Sequence, residues 1–355
     1  MTSDFTELPD LASRMLGGAV VDANDEFFAA RDNLVTAEPP TFAAGTFGAK
    51  GQVYDGWETR RRREPGHDYA ILRLGAPGIV RGVVVDTSYF TGNYPPYASM
   101  EGCGMAGYPG PAELAGADWL TLVPRAALRG DTRNHFEVTD PHRFTHVRLR
   151  IYPDGGVARL RVHGIVVPDP GLFPDGLVDL AALEHGGLVV GCSDMFYGSP
   201  HRLIAPGLAR VMGEGWETAR RRDDGNDWVR VRLAAPGRIR LVELDTSHFK
   251  GNAPAAATLR GLDARVADPA DPAAWFEILP RTRLQPDTRH RFPLAEVPTA
   301  TDVRLDVFPD GGMARLRLPG RVDPDDLTRL RQRWSESLPP AHARQVARSG
   351  PGRAG

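Results

Sequence analysis

A chain of 355 residues has room for two domains of ordinary size, each large enough to bury its own core. The balance of 43 Lys and Arg against 45 Asp and Glu lacks the basic excess of a nucleic-acid-binding protein, and the apolar runs are far shorter than the roughly 20 residues of a membrane span. Only two cysteines occur, and the first residues carry neither the basic nor the apolar region of a secretory signal, so we expect a cytoplasmic protein.

In chain order, the first predicted element is a short amphipathic helix from Asp4 to Met15, within a lead of residues 1–16. Two copies of one unit follow at residues 17–170 and 171–322, because four sequence words recur in the same order about 160 residues apart. The pairs are GGAVVDANDEFF and GGLVVGCSDMFY, DGWETRRRR and EGWETARRR, VDTSYFTGN and LDTSHFKGN, and THVRLRIYPDGGVARLRVHG and TDVRLDVFPDGGMARLRLPG. A period of this length indicates a duplicated domain, and the proline-rich segment 168–174 is the predicted linker.

The repeated unit is predicted to consist mostly of β-strands. From Thr145 to Tyr152, apolar residues alternate with polar ones, which is the period of a half-buried strand. Asp154-Gly155 follows at once and the alternation then resumes, a strong signal for a hairpin that the second copy repeats at Asp310. The pattern therefore predicts an all-β chain built from two tandem antiparallel sandwiches of jelly-roll type.

Residues 323–355 are predicted to form a C-terminal helix and a tail. Asp325 or Asp326 is the expected N-cap of that helix, and no apolar pattern continues beyond Pro339, where we expect disorder. The apolar stripe of the helix consists of Leu327, Leu330, Trp334 and Leu338.

Several long words together resemble the allantoicase family. They are GWETRRR, the GHD or GND after it, the DTS–F–GN segment and the YPDGG or FPDGG hairpin, and they extend the resemblance from about Gly17 to Gly320. The resemblance implies a repeated jelly roll of galactose-binding-like type. It also implies a hydrolase of linear amidines that converts allantoate to (S)-ureidoglycolate and urea in purine degradation. The second copy departs from the first at Gly251, where GNAPAA replaces the aromatic GNYPPY of Gly92.

Such a substrate needs a cation for its carboxylate and amide partners for its ureido groups. The planar fork of arginine matches a carboxylate at two points. If the GWET word continues as a strand, Glu58, Arg60 and Arg62 share one face, while Thr59, Arg61 and Arg63 share the other. The predicted substrate-binding residues are Arg60, Arg61, Arg62, Arg220, Arg221, Arg222, Asn93 and Asn252.

The reaction also needs proton transfer, which positioned His, Glu and Asp side chains provide. The predicted catalytic residues are Glu58, His67, Asp68, Glu217 and Asp227. His67 becomes Asn226 in the second copy, so the two copies are predicted to be inequivalent, as a stereospecific reaction requires. His248 is the next candidate, and Asp86 and Asp245 either bind substrate or cap a turn.

Other interpretations stay open at this point. Arg125 and Arg281 are either ligand groups or, as we favour, braces paired with Asp131 and Asp287. The sequence shows no metal-ligand spacing and no cofactor motif, which leaves a divalent ion at His67, Asp68 or Asp86 without support. We expect allantoate as the small-molecule partner, no nucleic acid or membrane, and a homo-oligomer. The main alternative is a tandem ligand- or carbohydrate-binding protein without catalysis, because jelly rolls host many functions.

Overall fold

A computed structural model describes residues 4–349, which divide into two compact units. Unit 1 comprises the residues up to Val167 together with those from Trp334 onwards, and unit 2 comprises Pro168–Arg333. Most of both units is antiparallel β-sheet, as the sequence predicts. Within the described part of the chain, no helix is long and apolar enough to cross a membrane.

Unit 1 is built from eleven strands and one short helix of the first repeat. The strands are β1 Ala19–Ala23, β2 Phe47–Gly48, β3 Gly51–Gln52, β4 Trp57–Glu58, β5 Asp68–Asp86, β6 Tyr97–Cys103, β7 Leu120–Ala127, β8 Arg133–Glu137, β9 Arg143–Tyr152, β10 Gly156–Val157 and β11 Arg159–Val166, and the helix is α1 Pro111–Ala115. Its seven-stranded sheet has the order β1-β5-β9-β6-β7, with β8 and β11 also paired to β5.

The long strand β5 serves both layers of this sandwich. Its first part pairs with β1 and β9, and its last part, up to Asp86, pairs with β8 and β11. The register shifts between Arg73 and Gly78, around Pro77, because proline cannot donate to a ladder. The start of β5 therefore lies at one end of the unit, beside the end of β9.

Unit 2 repeats this arrangement with the long strand divided in two. Its strands are β12 Leu177–Asp179, β13 Leu188–Cys192, β14 Trp216–Glu217, β15 Asp227–Ile239, β16 Leu241–Asp245, β17 Ala256–Leu262, β18 Phe276–Arg283, β19 Arg289–Pro293, β20 Ala300–Phe308, β21 Gly312–Met313, β22 Arg315–Arg317 and β23 Pro319–Val322. A seven-stranded sheet of order β12-β23-β15-β20-β17-β18, with β13 on β15, is accompanied by the three-stranded sheet β19-β16-β22.

The alternation predicted for the hairpin strands is confirmed. In β9, Val147, Leu149 and Ile151 are fully buried, while Arg148 and Arg150 are half-buried on the opposite face. The same alternation continues in β11, whereas in β20 of the second copy Asp302 and Asp306 are buried in addition to the apolar residues. Trp57 and Trp216, which follow the glycine of each GWET word, are also fully buried, so they belong to the two cores.

The segments outside the repeats differ from expectation. The helix predicted from Asp4 to Met15 is replaced by the 3-10 helices Phe5–Glu7 and Arg14–Leu16, between which Asp10 forms a bridge with His163. The remaining 3-10 helices are Arg31–Val35, Pro170–Leu172, Pro174–Gly176, Leu183–His185, Pro200–Ile204, Met212–Glu214 and Pro272–Ala274.

The C-terminal segment is more ordered than predicted. Helix α2 spans Pro324–Ser337, so Asp325 and Asp326 lie in its first turn and not at its cap. Disorder beyond Pro339 is wrong for residues 340–349, which form helix α3 (Pro340–Ser349), and the rest of the predicted tail lies outside the described residues. The structure orders this stretch because His342 is buried, with its ring centroid 6.4 Å from that of Trp334.

Candidate active site

Hairpin 152–156 positions the polar residues of unit 1. It links the end of β9 to β10, and Gly155 has a φ of 141°, where a Cβ would lie 2.7 Å from the backbone nitrogen of Pro95. Gly155 O accepts a hydrogen bond from Thr59 N at 3.2 Å, and Asp154 Oδ2 accepts one from Arg62 N at 2.8 Å. The PDGG word thus holds the GWETRRR word in place.

Glu58 and Asn93 form the first polar pair at this hairpin. Glu58 pairs with Gly156 in the β4–β10 ladder, and Asn93 O accepts a hydrogen bond from Gly156 N at 2.7 Å. Asn93 Nδ2 then donates to Glu58 Oε1 at 2.7 Å. Burial raises the pKa of Glu58 above its usual value, against the opposing effect of the Asn93 hydrogen bond. This carboxyl group is suited to donating a proton.

Asp68 is the second polar centre and is the first residue of β5. Its side chain is almost fully buried, and its Oδ1 accepts hydrogen bonds from Arg62 Nη1 and Asn24 Nδ2, both at 2.7 Å. Its Oδ2 is buried and has no hydrogen-bond partner among the described residues. A buried carboxylate oxygen without a donor is costly, so it marks a place where a ligand N–H can bind.

Asn24 was not among the residues predicted from the sequence. Its Oδ1 accepts a hydrogen bond from Tyr69 N at 2.6 Å, which fixes the amide so that its Nδ2 points at Asp68. Ser193 takes the same place in unit 2, where its Oγ donates to Asp227 Oδ1 at 2.9 Å. The signal was present in the first repeated word, in which DAND and GCSD keep a short polar residue before a shared aspartate.

His67 lies against the end of β9. Its ring centroid is 5.4 Å from that of Tyr152, whose hydroxyl is 2.9 Å from Ser99 Oγ. Burial lowers the pKa of His67, and repulsion by Arg150 and then by Arg62 adds to this effect. The imidazole therefore stays neutral to lower pH than usual and can accept a proton.

The brace predicted for Arg125 and Arg281 is wrong. The Arg125 guanidinium lies 4.6 Å from the ring centroids of both Tyr97 and Tyr152, and the Arg281 guanidinium lies 4.1 Å from that of Phe308. The aspartates Asp131 and Asp287 instead accept backbone hydrogen bonds from Tyr89 and His248, each at 2.7 Å. Arg125 and His67 thus both lie near the Tyr152 ring.

The predicted substrate-binding arginines divide between ion pairs and solvent. The strand that was predicted to continue through the arginines ends at Glu58. An extended strand would place Thr59 and Arg61 on one face, but Thr59 is buried and Arg61 is exposed. Arg60 pairs with Asp25 at 2.7 Å, and Arg62 pairs with Asp68. The side chains of Arg61, Arg63, Arg220 and Arg222 are exposed to solvent. Half-buried Arg62 and exposed Arg60 therefore each have a carboxylate partner.

Unit 2 keeps the frame of this site but changes its chemistry. Asn252 Nδ2 donates to Glu217 Oε1 at 2.5 Å, and Arg221 Nη1 donates to Asp227 Oδ1 at 2.8 Å. Asn226, at the position of His67, donates to Asp306 Oδ1 at 3.0 Å. No imidazole stands at this position, so the two copies are chemically inequivalent, as predicted from the sequence.

The remaining candidates have hydrogen-bond partners within their own unit. Asp86 accepts hydrogen bonds from the backbone and the hydroxyl of Ser88, and Asp245 accepts one from Ser247 N at 2.8 Å. His248 Nε2 lies 2.9 Å from Ala209 O. Among residues 4–349, no group of three or more His, Cys, Asp and Glu side chains is arranged to hold a metal ion.

Comparison with known proteins identifies the family. The family model described as "Allantoicase repeat" matches residues 9–167 and 178–323. A protein named "Probable allantoicase" from Nocardia farcinica is 61% identical over 321 residues, covering 90% of this chain and 95% of that protein. Another of that name, from Streptomyces coelicolor, is 50% identical over 345 residues, covering 94% and 90%. The crystal structure of allantoicase from Saccharomyces cerevisiae matches with a TM-score of 0.76 at 32% identity, covering 88% and 93%. The chain therefore belongs to the allantoicase family.

Proposed function

We propose that this chain hydrolyses allantoate to (S)-ureidoglycolate and urea, as a hydrolase of linear amidines in purine (allantoin) degradation. The observation that carries the proposal is the 61% identity over 90% of the chain to a relative named as an allantoicase. The alternative, a ligand- or carbohydrate-binding protein without catalysis, has no comparable support. The acid–base groups gathered at hairpin 152–156 of unit 1 fit the hydrolytic reaction.

In this proposal, His67, Glu58 and Asp68 of unit 1 act as base, acid and substrate-binding group. Neutral His67 accepts a proton from water, whose oxygen bonds to the central carbon as the C–N bond breaks. The Glu58 carboxyl, whose pKa is raised by burial, donates a proton to the departing ureido nitrogen, which leaves as urea. Asp68 Oδ2, buried and free of partners among the described residues, accepts an N–H of a ureido group. Asn93 keeps Glu58 in place.

Unit 2 has a different role in this proposal. Glu217 and Asp227 keep the hydrogen bonds of Glu58 and Asp68, but Asn226 cannot replace the base His67. We therefore assign the proton transfer to unit 1 and regard the equivalent residues of unit 2 as parts of a retained structural frame.

An assay of urea release tests the function directly. The purified full-length chain is incubated with allantoate, and urea is measured over time, with and without a chelator. Allantoin, whose ring is closed, serves as the control substrate and is expected to yield no urea. No urea above the uncatalysed background, under any of these conditions or with added divalent metal, contradicts the proposal. Binding of a glycan without urea release supports the alternative.

We also expect a cytoplasmic homo-oligomer. Both Cys103 and Cys192 are free thiols, which is typical of proteins in reducing compartments, and burial raises the pKa of Cys103 to about 12. Unit 2 exposes three consecutive large apolar residues, Met195, Phe196 and Tyr197, which suit an interface between copies. Sedimentation equilibrium tests this expectation, and a monomer at micromolar concentration contradicts it.

A further inference from the structure

Unit 1 contains a cleft of about 580 Å³ between its sheet and the start of α3. Its lining includes Glu101 on β6, Arg148 and Arg150 on β9, and Trp119 just before β7, with Pro340 and Arg344 from the C-terminal segment. Three arginines and two carboxylates, Glu101 and Asp118, lie in the lining, so the cleft is cationic. The C-terminal segment lies outside both stretches that match the family repeat.

All three arginines have an ion-pair partner in the lining, but only two of them also donate a hydrogen bond to that partner. Arg148 Nε donates to Glu101 Oε2 at 2.6 Å, and its guanidinium lies 4.4 Å from the Trp119 ring centroid. Arg344 pairs with Asp118 at 3.3 Å near the solvent. These two arginines therefore stabilise the walls of the cleft through hydrogen-bonded ion pairs.

Arg150 is different. Its Nε lies 3.1 Å from Glu101 Oε2, but the angle does not make a hydrogen bond, and the atom is buried without a donor–acceptor partner in the described part of the chain. No other hydrogen bond from this guanidinium is found among the described residues. Arg148 and Arg150 thus share the single carboxylate of Glu101, which leaves Arg150 able to donate two parallel hydrogen bonds to a second carboxylate.

Arg150 also lies next to the proposed base. It is two residues before Tyr152 on the same face of β9, and the Tyr152 ring contacts His67. Its cross-strand neighbour is Ser99, which meets the Tyr152 hydroxyl. Arg150 is also close enough to His67 for its charge to help lower the pKa of that imidazole, so the cation and the proposed base lie within electrostatic range of each other.

The second repeat shows that this charge is specific to unit 1. Asp306 occupies the position of Arg150, and Arg260 occupies that of Glu101, so the two charges are exchanged. Asp306 is buried and accepts hydrogen bonds from Arg260, Arg304 and Asn226, each at 3.0 Å. An aspartate with its acceptors satisfied repels a carboxylate, so this position of unit 2 cannot bind one.

We propose that Arg150, at the side of this cleft that continues along β9 to Tyr152 and His67, binds the carboxylate of the substrate and thereby selects a carboxylated bis-ureido compound in unit 1 alone. The proposal rests on the function proposed above. It replaces the arginines of the GWETRRR word, which the structure pairs or exposes, as the carboxylate anchor.

Two variants remove the cation in different ways. Arg150→Gln removes the charge alone. The double variant Glu101→Arg with Arg150→Asp reproduces the charge arrangement of Arg260 and Asp306, which unit 2 shows to be compatible with the fold. Arg63→Gln, at an exposed position, is the matched control. Circular dichroism and thermal unfolding establish that each variant is folded.

The first measurement compares allantoate with methylenediurea, which has the two ureido groups but no carboxylate. We expect both variants to raise KM for allantoate by about 10- to 100-fold, the usual worth of a charge-assisted pair, while the inhibition constant of methylenediurea changes less than threefold. We expect Arg150→Gln also to move the acid limb of the pH profile to higher pH, because the cation no longer repels protonated His67. A KM within twofold of wild type in both variants overturns the proposal, as does an equal rise for methylenediurea.

A second measurement does not depend on turnover. Calorimetric titration of the wild-type chain and of both variants with allantoate reports binding even where no urea is released. Allantoate binding that Arg150→Gln does not weaken overturns the carboxylate assignment, and so does the absence of allantoate binding to the wild-type chain. Binding that is weakened in the variants, in a wild-type chain that releases no urea, contradicts the proposed function alone.

Discussion

The buried carboxylate of Asp68 leads to a prediction for which the equivalent residue of the second repeat provides the control. Asp68→Asn and Asp227→Asn make the same change in two nearly identical frames. In each, Oδ1 accepts from an arginine and from a short polar residue of the first repeated word, and Oδ2 lacks a partner among the described residues. The proposed function assigns substrate contact to Asp68 alone.

The expected loss of stability follows from the hydrogen bonds. An asparagine retains one oxygen but no charge, so its bond to Arg62 keeps a charged donor, loses the charged acceptor, and falls towards the lower end of the about 1.5–3 kcal/mol typical of hydrogen bonds to charged groups. Its amide also places an N–H₂ group where the partnerless Oδ2 was. Because the Arg62 side chain is 28% exposed and partly solvated, we expect a total loss of about 2 kcal/mol, or roughly 5 °C in Tm. Asp227→Asn loses the same or less, since Arg221 also pairs with Asp223.

Activity separates the two variants. Loss of a charged acceptor for a ureido N–H is expected to reduce kcat/KM by about 10- to 100-fold in Asp68→Asn, and less than threefold in Asp227→Asn. Urea release is measured by steady-state kinetics at a temperature where thermal unfolding shows both variants folded. Equal losses in the two variants refute the assignment of chemistry to unit 1, and full activity in Asp68→Asn refutes a role for this carboxylate.

The other predictions concern the proton-transfer groups and the hairpin. Glu58→Gln is expected to lower kcat by about 100-fold with KM nearly unchanged, whereas Glu217→Gln keeps a kcat near that of the wild type. Steady-state urea release measures both, and a change in KM alone contradicts the acid role of Glu58. The wild-type kcat/KM is expected to fall on the acid side with a midpoint below 6.5, because the pKa of His67 is lowered and protonation removes the base; a pH–rate profile in which this limb persists in His67→Asn contradicts the assignment. Gly155→Ala is expected to lower Tm by several degrees, because its Cβ would lie 2.7 Å from a backbone nitrogen at a φ of 141°. Gly92→Ala, with no atom within 4 Å of its Cβ, is the control, and equal melting temperatures for the two variants rule out the steric argument.

Local patterns determined much of the fold. The alternation around Val147, Leu149 and Ile151 has the period of a strand whatever lies opposite it, and all three side chains are buried as predicted. The Asp154-Gly155 turn needs only its own backbone conformation, which glycine permits. The repeated words revealed the duplication and the family, because both are recognised from the order of residues along the chain and need no knowledge of contacts.

The partners of the charged side chains were decided by the tertiary structure. Arg60 pairs with Asp25, Asn93 with Glu58, and Arg148 with Glu101, each across 35 or more residues. Such pairs depend on which strands become neighbours and in which register, and a one-residue slip turns a side chain to the opposite face. The run of arginines after Trp57 therefore looked like a binding surface, although the fold neutralises or exposes its members.

Arg150 and the C-terminal helix α3 also show which features the sequence reveals and which depend on the tertiary structure. The exchange of Arg150 for Asp306 is visible inside a repeated word of the sequence, whereas the equivalence of Glu101 and Arg260 is visible only from the strand pairing. Residues 340–349 lack a long apolar stripe, and isolated helices of this length are marginal in water, so nothing local predicted α3. Burial of His342 against unit 1 supplies the missing stabilisation, and the same packing forms one wall of the cleft around Arg150.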